Sequence, residues 1–215
     1  MREATGIDAL ALPEALLCAT EPVLLRGLVA HWPAVQAARE SASAADAYLR
    51  RFWRGATVGA WVGPPEIDGR FFYDETLTGF NFRRELLKLD TVLDALARHA
   101  DDAAPPAIYV GSTTVDTCLP GFRDENGLGF GSIDPLVSLW LGNRGRVAAH
   151  QDLPDNLACV VAGRRRFTLF PPDALPDLYV GPLDLTPAGQ AISLVDITRP
   201  DLQRFPRYAA ALQRA

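Results

Sequence analysis

A histidine and an aspartate stand two residues apart in the segment RVAAHQD (146–152), as His150 and Asp152. Side chains at positions i and i+2 of a β-strand point to the same face. If this segment is a strand, the imidazole and the carboxylate lie side by side and supply two corners of the facial triad that binds non-haem Fe(II). The spacing alone is a weak signal, because a hydrogen-bonded structural histidine near an acid gives the same pattern.

Polar residues downstream of this pair suit a bound anion. Asn156 lies four residues after Asp152 and offers an amide to a carboxylate or a water. A hairpin is predicted between LACVVA and RRFTLF, and Arg165 shares the alternation of Phe167 and Leu169, so its guanidinium is expected to point inward. The other two arginines of the RRR run are expected to face solvent. A buried arginine requires an anion, and a dicarboxylate would meet it with bidentate geometry.

The elements that must position these residues change in character after Pro105. Before it, apolar spacing predicts helices at 11–20, 41–53 and 84–100 and a strand and turn at 22–29. After it come short β-rich runs separated by turn residues: AIYVGSTTV, LVSLWLG, RVAAHQD, LACVVAG and RRRFTLF. This pattern predicts an antiparallel sandwich or barrel, followed by an amphipathic segment at 201–214. The glycine-rich stretch 124–132 is interpreted as a mobile loop.

Composition and charge restrict the class of protein. The 215 residues suit one domain with a helical extension, and the net charge of −5 argues against a nucleic-acid binder. Cys18, Cys118 and Cys159 have no paired spacing, which is typical of free thiols in a reducing compartment. No apolar run has the length of a membrane span, and the N-terminus does not read as a signal peptide. We therefore expect a cytoplasmic protein without a membrane partner.

The stretch WLGNRGRVAAHQDLPDNLACVVAGRRRFTLFPP (140–172) resembles the cupin-like, JmjC-related Fe(II)/2-oxoglutarate oxygenases of the asparaginyl hydroxylase type. The resemblance extends upstream through VLLRGLVAHWPAV (23–35), FFYDETLTGFNF (71–82) and PPAIYVGS (105–112). Downstream it includes LYVGPLDLTPAG and PDLQRFPRYAAAL. It implies a mainly β fold with N-terminal helices: an extension over 1–104 packed on a core over 105–215, the core being a double-stranded β-helix of the cupin or jelly-roll kind.

The resemblance also implies roles for individual residues. It implies His150 and Asp152 as iron ligands, Asn156 near the metal-chelating end of 2-oxoglutarate, and Tyr109 and Arg165 at the distal carboxylate of that cosubstrate. Arg165 stands where these hydroxylases usually carry a lysine, and its guanidinium fork is larger than the lysine ammonium group. Val147 stands where they often carry a threonine, which removes one hydrogen bond.

The family's second histidine ligand follows a Pro-Gly-Asp turn, and neither is found in these 215 residues. The remaining histidines are His31, in AHWP, and His99, at the end of the predicted helix 84–100; we expect the first to be structural and the second to cap the helix. The core is therefore expected to be incomplete towards its C-terminus. Open sheet edges favour pairing with another chain, such as a second copy in a homodimer.

Two functions remain open. The first is an Fe(II)/2-oxoglutarate-dependent oxygenase that hydroxylates a protein side chain or a small molecule, with Fe(II) as its metal and 2-oxoglutarate as its cosubstrate. The alternative is a non-catalytic cupin-type binding or interaction module, which the absent second histidine and the arginine at position 165 support. A plain cupin isomerase or dioxygenase fits less well, because such sites carry more histidines close together.

Overall fold

A four-stranded antiparallel sheet organises the fold, which a computed structural model describes for residues 1–215. The strands are β1 (Arg2–Thr5), β2 (Val23–Arg26), β3 (Thr57–Gly63), β4 (Arg83–Lys88), β5 (Ala107–Thr114) and β6 (Ser138–Gly142). The helices are α1 (Glu14–Leu17), α2 (Pro33–Glu40), α3 (Ala42–Arg50), α4 (Leu89–Arg98), α5 (Val115–Cys118), α6 (Phe122–Glu125) and α7 (Tyr208–Gln213). The sheet has the order β4-β3-β5-β6, and β1 and β2 form a separate parallel pair.

One face of the sheet packs against helices α2, α3 and α4 and forms the main hydrophobic core. In β3 the alternating sequence TVGAWVG turns Val58 and Ala60 to this side, where Val110 of β5 joins them. All three residues are at most 1% exposed. Full burial of a valine side chain contributes about 1.5–3 kcal/mol, so this face anchors the sheet.

The other face of the sheet is aromatic. Trp61 of β3 lies opposite Tyr109 of β5 in the strand register, and directly opposed residues point to the same face. Phe71 and Phe82 pack on them, with the rings of Trp61 and Phe82 stacked at a centroid distance of 4.9 Å. We call Trp61, Phe71, Phe82 and Tyr109 the aromatic face. Tyr109, a predicted site residue, is therefore packed among the other rings of the aromatic face.

Several predicted elements are confirmed. Helix α3 lies within 41–53 and begins after Ser41, whose Oγ accepts a hydrogen bond from the backbone N–H of Ala44 at 3.0 Å. This is the standard N-cap arrangement. Strands β5 and β6 lie within AIYVGSTTV and LVSLWLG, and β2 lies within 22–29. Because β3 and β4 precede residue 104 and β5 and β6 follow it, strands from both predicted parts share one sheet.

The helix predicted over 84–100 is wrong in its first part. Residues Arg83–Lys88 form β4, and the helix α4 begins only at Leu89. The leucines of this segment fit a helical stripe, but six residues of β4 pair with β3, from Thr57 opposite Lys88 to Val62 opposite Arg83. These ladder hydrogen bonds override the local helical preference. As a result Leu86 is 75% exposed instead of lying on an apolar stripe.

The strands predicted as RVAAHQD, LACVVAG and RRRFTLF do not join the sheet. Apart from an isolated bridge between His150 and Ile192 and another between Arg70 and Arg146, this region has no regular pairing. The backbone N–H and C=O groups of residues 151–170 form no hydrogen bond with other backbone groups. No neighbouring strand lies in register with them, so the segment runs unpaired. The structure has no closed barrel, and the predicted double-stranded β-helix is not confirmed.

The C-terminal part forms a small second core. Ala174, Val195, Tyr208 and Ala211 are buried together, the last two on helix α7 within the predicted amphipathic segment 201–214. None of the helices combines the length and apolarity that a membrane crossing requires.

Candidate functional site

His150 and Asp152 lie side by side, as their spacing predicted. Nε2 of His150 is 3.6 Å from Oδ1 of Asp152. Nδ1 of His150 is 2.8 Å from the carbonyl oxygen of Ala148. A carbonyl oxygen only accepts hydrogen bonds, so Nδ1 carries the ring proton, and in the neutral ring Nε2 keeps a free lone pair. Histidine binds a metal through such a free lone pair on a ring nitrogen.

Backbone contacts on both sides hold the segment that carries His150. At its start, the backbone N–H of Arg146 donates to the oxygen of Gly69 at 2.8 Å. Near its end, the N–H of Ser193 donates to the oxygen of Ala149 at 2.7 Å. The side chain of Arg146 also donates to Asp196 Oδ2 at 3.1 Å. These contacts fix the backbone around the histidine without a full strand ladder.

The pair fits one cation, with two protein donors. Metal bonds to histidine nitrogen and carboxylate oxygen are about 2.0–2.2 Å long, so two donors 3.6 Å apart can both contact a single ion. Both side chains are partly exposed, at 30% for His150 and 43% for Asp152, which leaves room for non-protein ligands. No group of three histidine, cysteine, aspartate or glutamate side chains gathers in the chain, so no third donor of these types completes this site.

The other two histidines do not join this pair. His31 is exposed beside the buried Trp32, whose indole N–H donates to the oxygen of Gly127 at 3.1 Å. His99 is the C-cap residue of α4, as predicted, and its Nδ1 lies 2.7 Å from Oδ2 of Asp102.

Tyr109 links the aromatic face to the acidic and basic residues of the site. Burial raises the pKa of its phenol, while the positive charge of Arg165 opposes this rise and the negative charge of Asp152 adds to it. A phenol is protonated at neutral pH, so the hydroxyl of Tyr109 can donate a hydrogen bond to an anion.

Two glycines make room for the ring of Tyr109. A Cβ added at Gly111 would lie 3.0 Å from Cε1 of Tyr109. At Gly142, which is opposite Tyr109 in the register, an added Cβ would lie 2.5 Å from the oxygen of Ile108 and 3.3 Å from Cδ2 of Tyr109. Larger residues at these positions would displace the phenol or separate β5 from β6.

Arg165 and Asn156, the two remaining predicted residues, lie on the unpaired segment 151–170. The guanidinium of Arg165 sits 5.1 Å from the ring centroid of Phe167, a cation–π distance that orients its fork. Arg165 is exposed rather than buried as predicted, and its positive charge lowers the pKa of the Tyr109 phenol against the effect of burial. Asn156 is exposed, and its role stays a prediction.

Sequence reasoning missed two side chains of this region, Trp61 and Gln190. The alternation of TVGAWVG puts Trp61 on the face opposite Val58, so it was open to prediction. Gln190 had no signal in the sequence, because its contact with Asp152 joins residues 38 positions apart.

An antiparallel sheet with a histidine-x-aspartate pair beside it is typical of cupin-type metal-binding domains. Residues 9–215 match the family described as Cupin-like domain, so the chain belongs to that family. The resemblance that the sequence motifs indicated is thereby confirmed.

The relatives include enzymes named as hydroxylases and demethylases. The chain is 28% identical over 225 residues to the human "Bifunctional peptidase and (3S)-lysyl hydroxylase JMJD7", covering 91% of this chain and 67% of that protein. It is 25% identical over 193 residues to "Lysine-specific demethylase 8" of Xenopus tropicalis, covering 89% of this chain and 40% of the relative. It is 32% identical over 101 residues to "Lysine-specific demethylase JMJ31" of Arabidopsis thaliana, covering 46% and 17%.

Proposed function

We propose that this protein is an Fe(II)/2-oxoglutarate-dependent oxygenase that hydroxylates a protein side chain or a small molecule. The observation that carries the proposal is the free Nε2 of His150 facing Oδ1 of Asp152 at 3.6 Å. The relatives' names support the reaction class, and they favour a protein substrate with lysine as the first side chain to test.

His150 and Asp152 would hold the iron. When bound with 2-oxoglutarate and O₂, iron couples the oxidation of 2-oxoglutarate to succinate and CO₂ with the insertion of one oxygen atom into a C–H bond of the substrate. The hydrogen bond from Nδ1 of His150 to Ala148 keeps the imidazole in the metal-binding tautomer. The partial exposure of both side chains gives the cosubstrate and O₂ access to the metal.

Tyr109 and Arg165 would bind the distal carboxylate of 2-oxoglutarate. The protonated phenol of Tyr109 donates one hydrogen bond, and the guanidinium of Arg165 offers a bidentate pair. The positive charge of Arg165 acts on the pKa of the Tyr109 phenol, which supports an anion site that the two side chains share. Asn156 would face the metal-chelating end of the cosubstrate, which is the part of the proposal that rests on the resemblance alone.

The donor count favours a second candidate, a non-catalytic cupin-type binding module. Only two histidine, cysteine, aspartate or glutamate side chains meet at the site, and a metal held by two side chains is bound more weakly than one held by three. The anion-binding groups Tyr109 and Arg165 do not depend on the metal. A module of this kind would still bind a dicarboxylate.

Turnover separates the two candidates. The full chain is incubated aerobically with Fe(II), ascorbate, 2-oxoglutarate and lysine-containing peptides, and succinate is measured beside the Asp152→Ala variant. Succinate formation that the variant loses supports the oxygenase. Saturable 2-oxoglutarate binding without succinate, lost in Arg165→Ala, supports the binding module. The absence of both turnover and 2-oxoglutarate binding contradicts both candidates.

Association into a homodimer stays a prediction. Its support is the unpaired backbone of 151–170 together with exposed apolar side chains on the same segment, such as Val160, Phe167 and Leu169. Light scattering coupled to gel filtration measures the mass directly. A monomeric mass at micromolar concentration would contradict the prediction.

A further inference from the structure

The carboxylate of Asp152 is held by a residue outside the HQD motif. Nε2 of Gln190 donates to Oδ1 of Asp152 at 3.0 Å, and this is the same oxygen that faces His150. We propose that Gln190 is a positioning residue that orients the Asp152 carboxylate for metal binding. This inference rests on the proposed function and deepens it.

An isolated antiparallel bridge brings Gln190 near Asp152. The bridge joins His150 and Ile192. Asp152 is two residues after His150 and Gln190 is two before Ile192, so an antiparallel path of the two segments brings these residues near each other. Their contact is a hydrogen bond between side chains, because the backbone of Asp152 is unpaired.

The bridge itself is held from both sides. The N–H of Ser193 donates to the oxygen of Ala149 at 2.7 Å, and the oxygen of Ile192 accepts from the N–H of Gly181 at 2.9 Å. Ile192 and Ser193 are buried, at 6% and 1% exposure. The segment before them is thereby fixed at its C-terminal end.

The loop before Gln190 is tied to the sheet and its flank. The hydroxyl of Tyr73 donates to the oxygen of Leu185 at 2.8 Å. Arg84 of β4 donates through Nη2 to the oxygens of Thr186, at 3.0 Å, and Pro187, at 2.6 Å. Both anchors use backbone oxygens of the loop, so they hold its path whatever side chains it carries.

A turn at Gly189 connects this anchored loop to Gln190. Gly189 has φ +98°, a conformation that favours glycine. Its N–H donates to Oγ1 of Thr186 at 2.9 Å, which closes the turn. Gln190 is therefore held between the turn and the Ile192 bridge, and its amide has a defined direction.

The chemistry of an amide suits this task. Gln190 is neutral, so it orients the carboxylate without neutralising the charge that attracts a cation. An ionised carboxylate has about four lone-pair sites, and the hydrogen bond from Gln190 uses one of them. Outer partners of this kind fix the orientation of metal ligands, and their loss typically costs about 10–100-fold in metal affinity.

The test compares Gln190→Met with the wild-type chain in an anaerobic Co(II) titration. Methionine keeps the side-chain length and lacks the amide donor. We expect Co(II) affinity to fall about tenfold and the visible absorption spectrum at saturating Co(II) to change, while the Tm of the metal-free protein stays at the wild-type value. The matched control is Gln203→Met, an exposed glutamine on another segment, which should behave as wild type in all three measurements.

Other results distinguish a failure of the positioning role of Gln190 from a failure of the proposed function. Wild-type affinity and an unchanged spectrum in Gln190→Met would overturn the positioning role, and the metal site would stand. A lower Tm with an unchanged Co(II) spectrum would also overturn it, since Gln190 would then act only in folding. If the wild type and His150→Ala both fail to bind Co(II), the proposed function itself fails, and the inference fails with it.

Discussion

The indole of Trp61 and the phenol of Tyr109 lie next to each other on β3 and β5, with ring centroids 5.5 Å apart and ring planes inclined by 59°. Phe71 packs on the same phenol at 5.9 Å. These ring contacts hold Tyr109 in place and do not involve its hydroxyl group. The packing role of the ring and the binding role of the hydroxyl can therefore be tested separately.

Tyr109→Phe should weaken 2-oxoglutarate binding about tenfold or more, because a hydrogen bond to a charged group contributes about 1.5–3 kcal/mol. The free energy of unfolding should change little, since the ring contacts remain. Calorimetric titration of the anaerobic Co(II)-loaded chain measures the affinity. The control is Tyr179→Phe, whose hydroxyl accepts from the backbone N–H of Arg207 at 3.0 Å. Unchanged affinity in Tyr109→Phe would remove the phenol from the cosubstrate site.

Cys159 should be alkylated more slowly than Cys18. Burial raises the pKa of its thiol from 9.0 to about 11, whereas Cys18 is exposed. Because the thiolate is the nucleophile, iodoacetamide at pH 8 should alkylate Cys18 well before Cys159. Mass spectrometry of the digested protein reads both sites. Equal labelling of the two thiols in the folded chain would contradict the raised pKa of Cys159.

The same thiol makes stability depend on pH. A pKa raised by folding gives a contribution that is complete below the unfolded-state pKa and is lost as pH rises through the folded-state pKa. We expect Cys159 to remove about 2–3 kcal/mol from the free energy of unfolding between pH 9 and 11. Urea unfolding of the wild type and Cys159→Ala across this range isolates the effect. A parallel pH dependence in the two proteins would contradict it.

Asn126 is the buried polar residue whose loss should cost most. It is 4% exposed; its Oδ1 accepts from the N–H of Ala34 at 3.0 Å, and its Nδ2 donates to the hydroxyl of Tyr48 at 2.8 Å and the oxygen of Phe122 at 2.9 Å. Asn126→Ala leaves these groups without their partner, and we expect a loss of about 3 kcal/mol in the free energy of unfolding. The exposed Asn156→Ala should stay within about 0.5 kcal/mol. Similar urea midpoints for the two variants would contradict this assignment.

The sequence predicted an element correctly where its local signals agreed with the pairing in the folded chain. The Ser41 cap and the apolar spacing after it predict α3, and the run AIYVGSTTV predicts β5. It was insufficient for residues 84–88, whose leucines fit a helix and a strand equally well until β3 supplies a partner. The strands predicted within 146–170 failed for the converse reason, since extended segments need a neighbour to become strands.

In the candidate site, too, local features could be predicted from the sequence and contacts between distant segments could not. The two-residue spacing predicts that His150 and Asp152 are neighbours, and one bridge to Ile192 is enough to set their shared face. Contacts between distant segments were beyond sequence reasoning. Gln190 reaches Asp152 only because the chain returns antiparallel to the HQD segment, and no local pattern around Gln190 indicates that return.

In the proposed function, His150 and Asp152 form a metal site whose affinity depends on 2-oxoglutarate. The most direct measurement is an anaerobic Co(II) titration of the full chain with and without 2-oxoglutarate, beside His150→Ala and, as the matched control, the exposed His31→Ala. We predict that wild type and His31→Ala bind Co(II), that 2-oxoglutarate tightens this binding, and that His150→Ala loses it. Wild-type binding no tighter than that of His150→Ala, with no effect of 2-oxoglutarate, would contradict the claim.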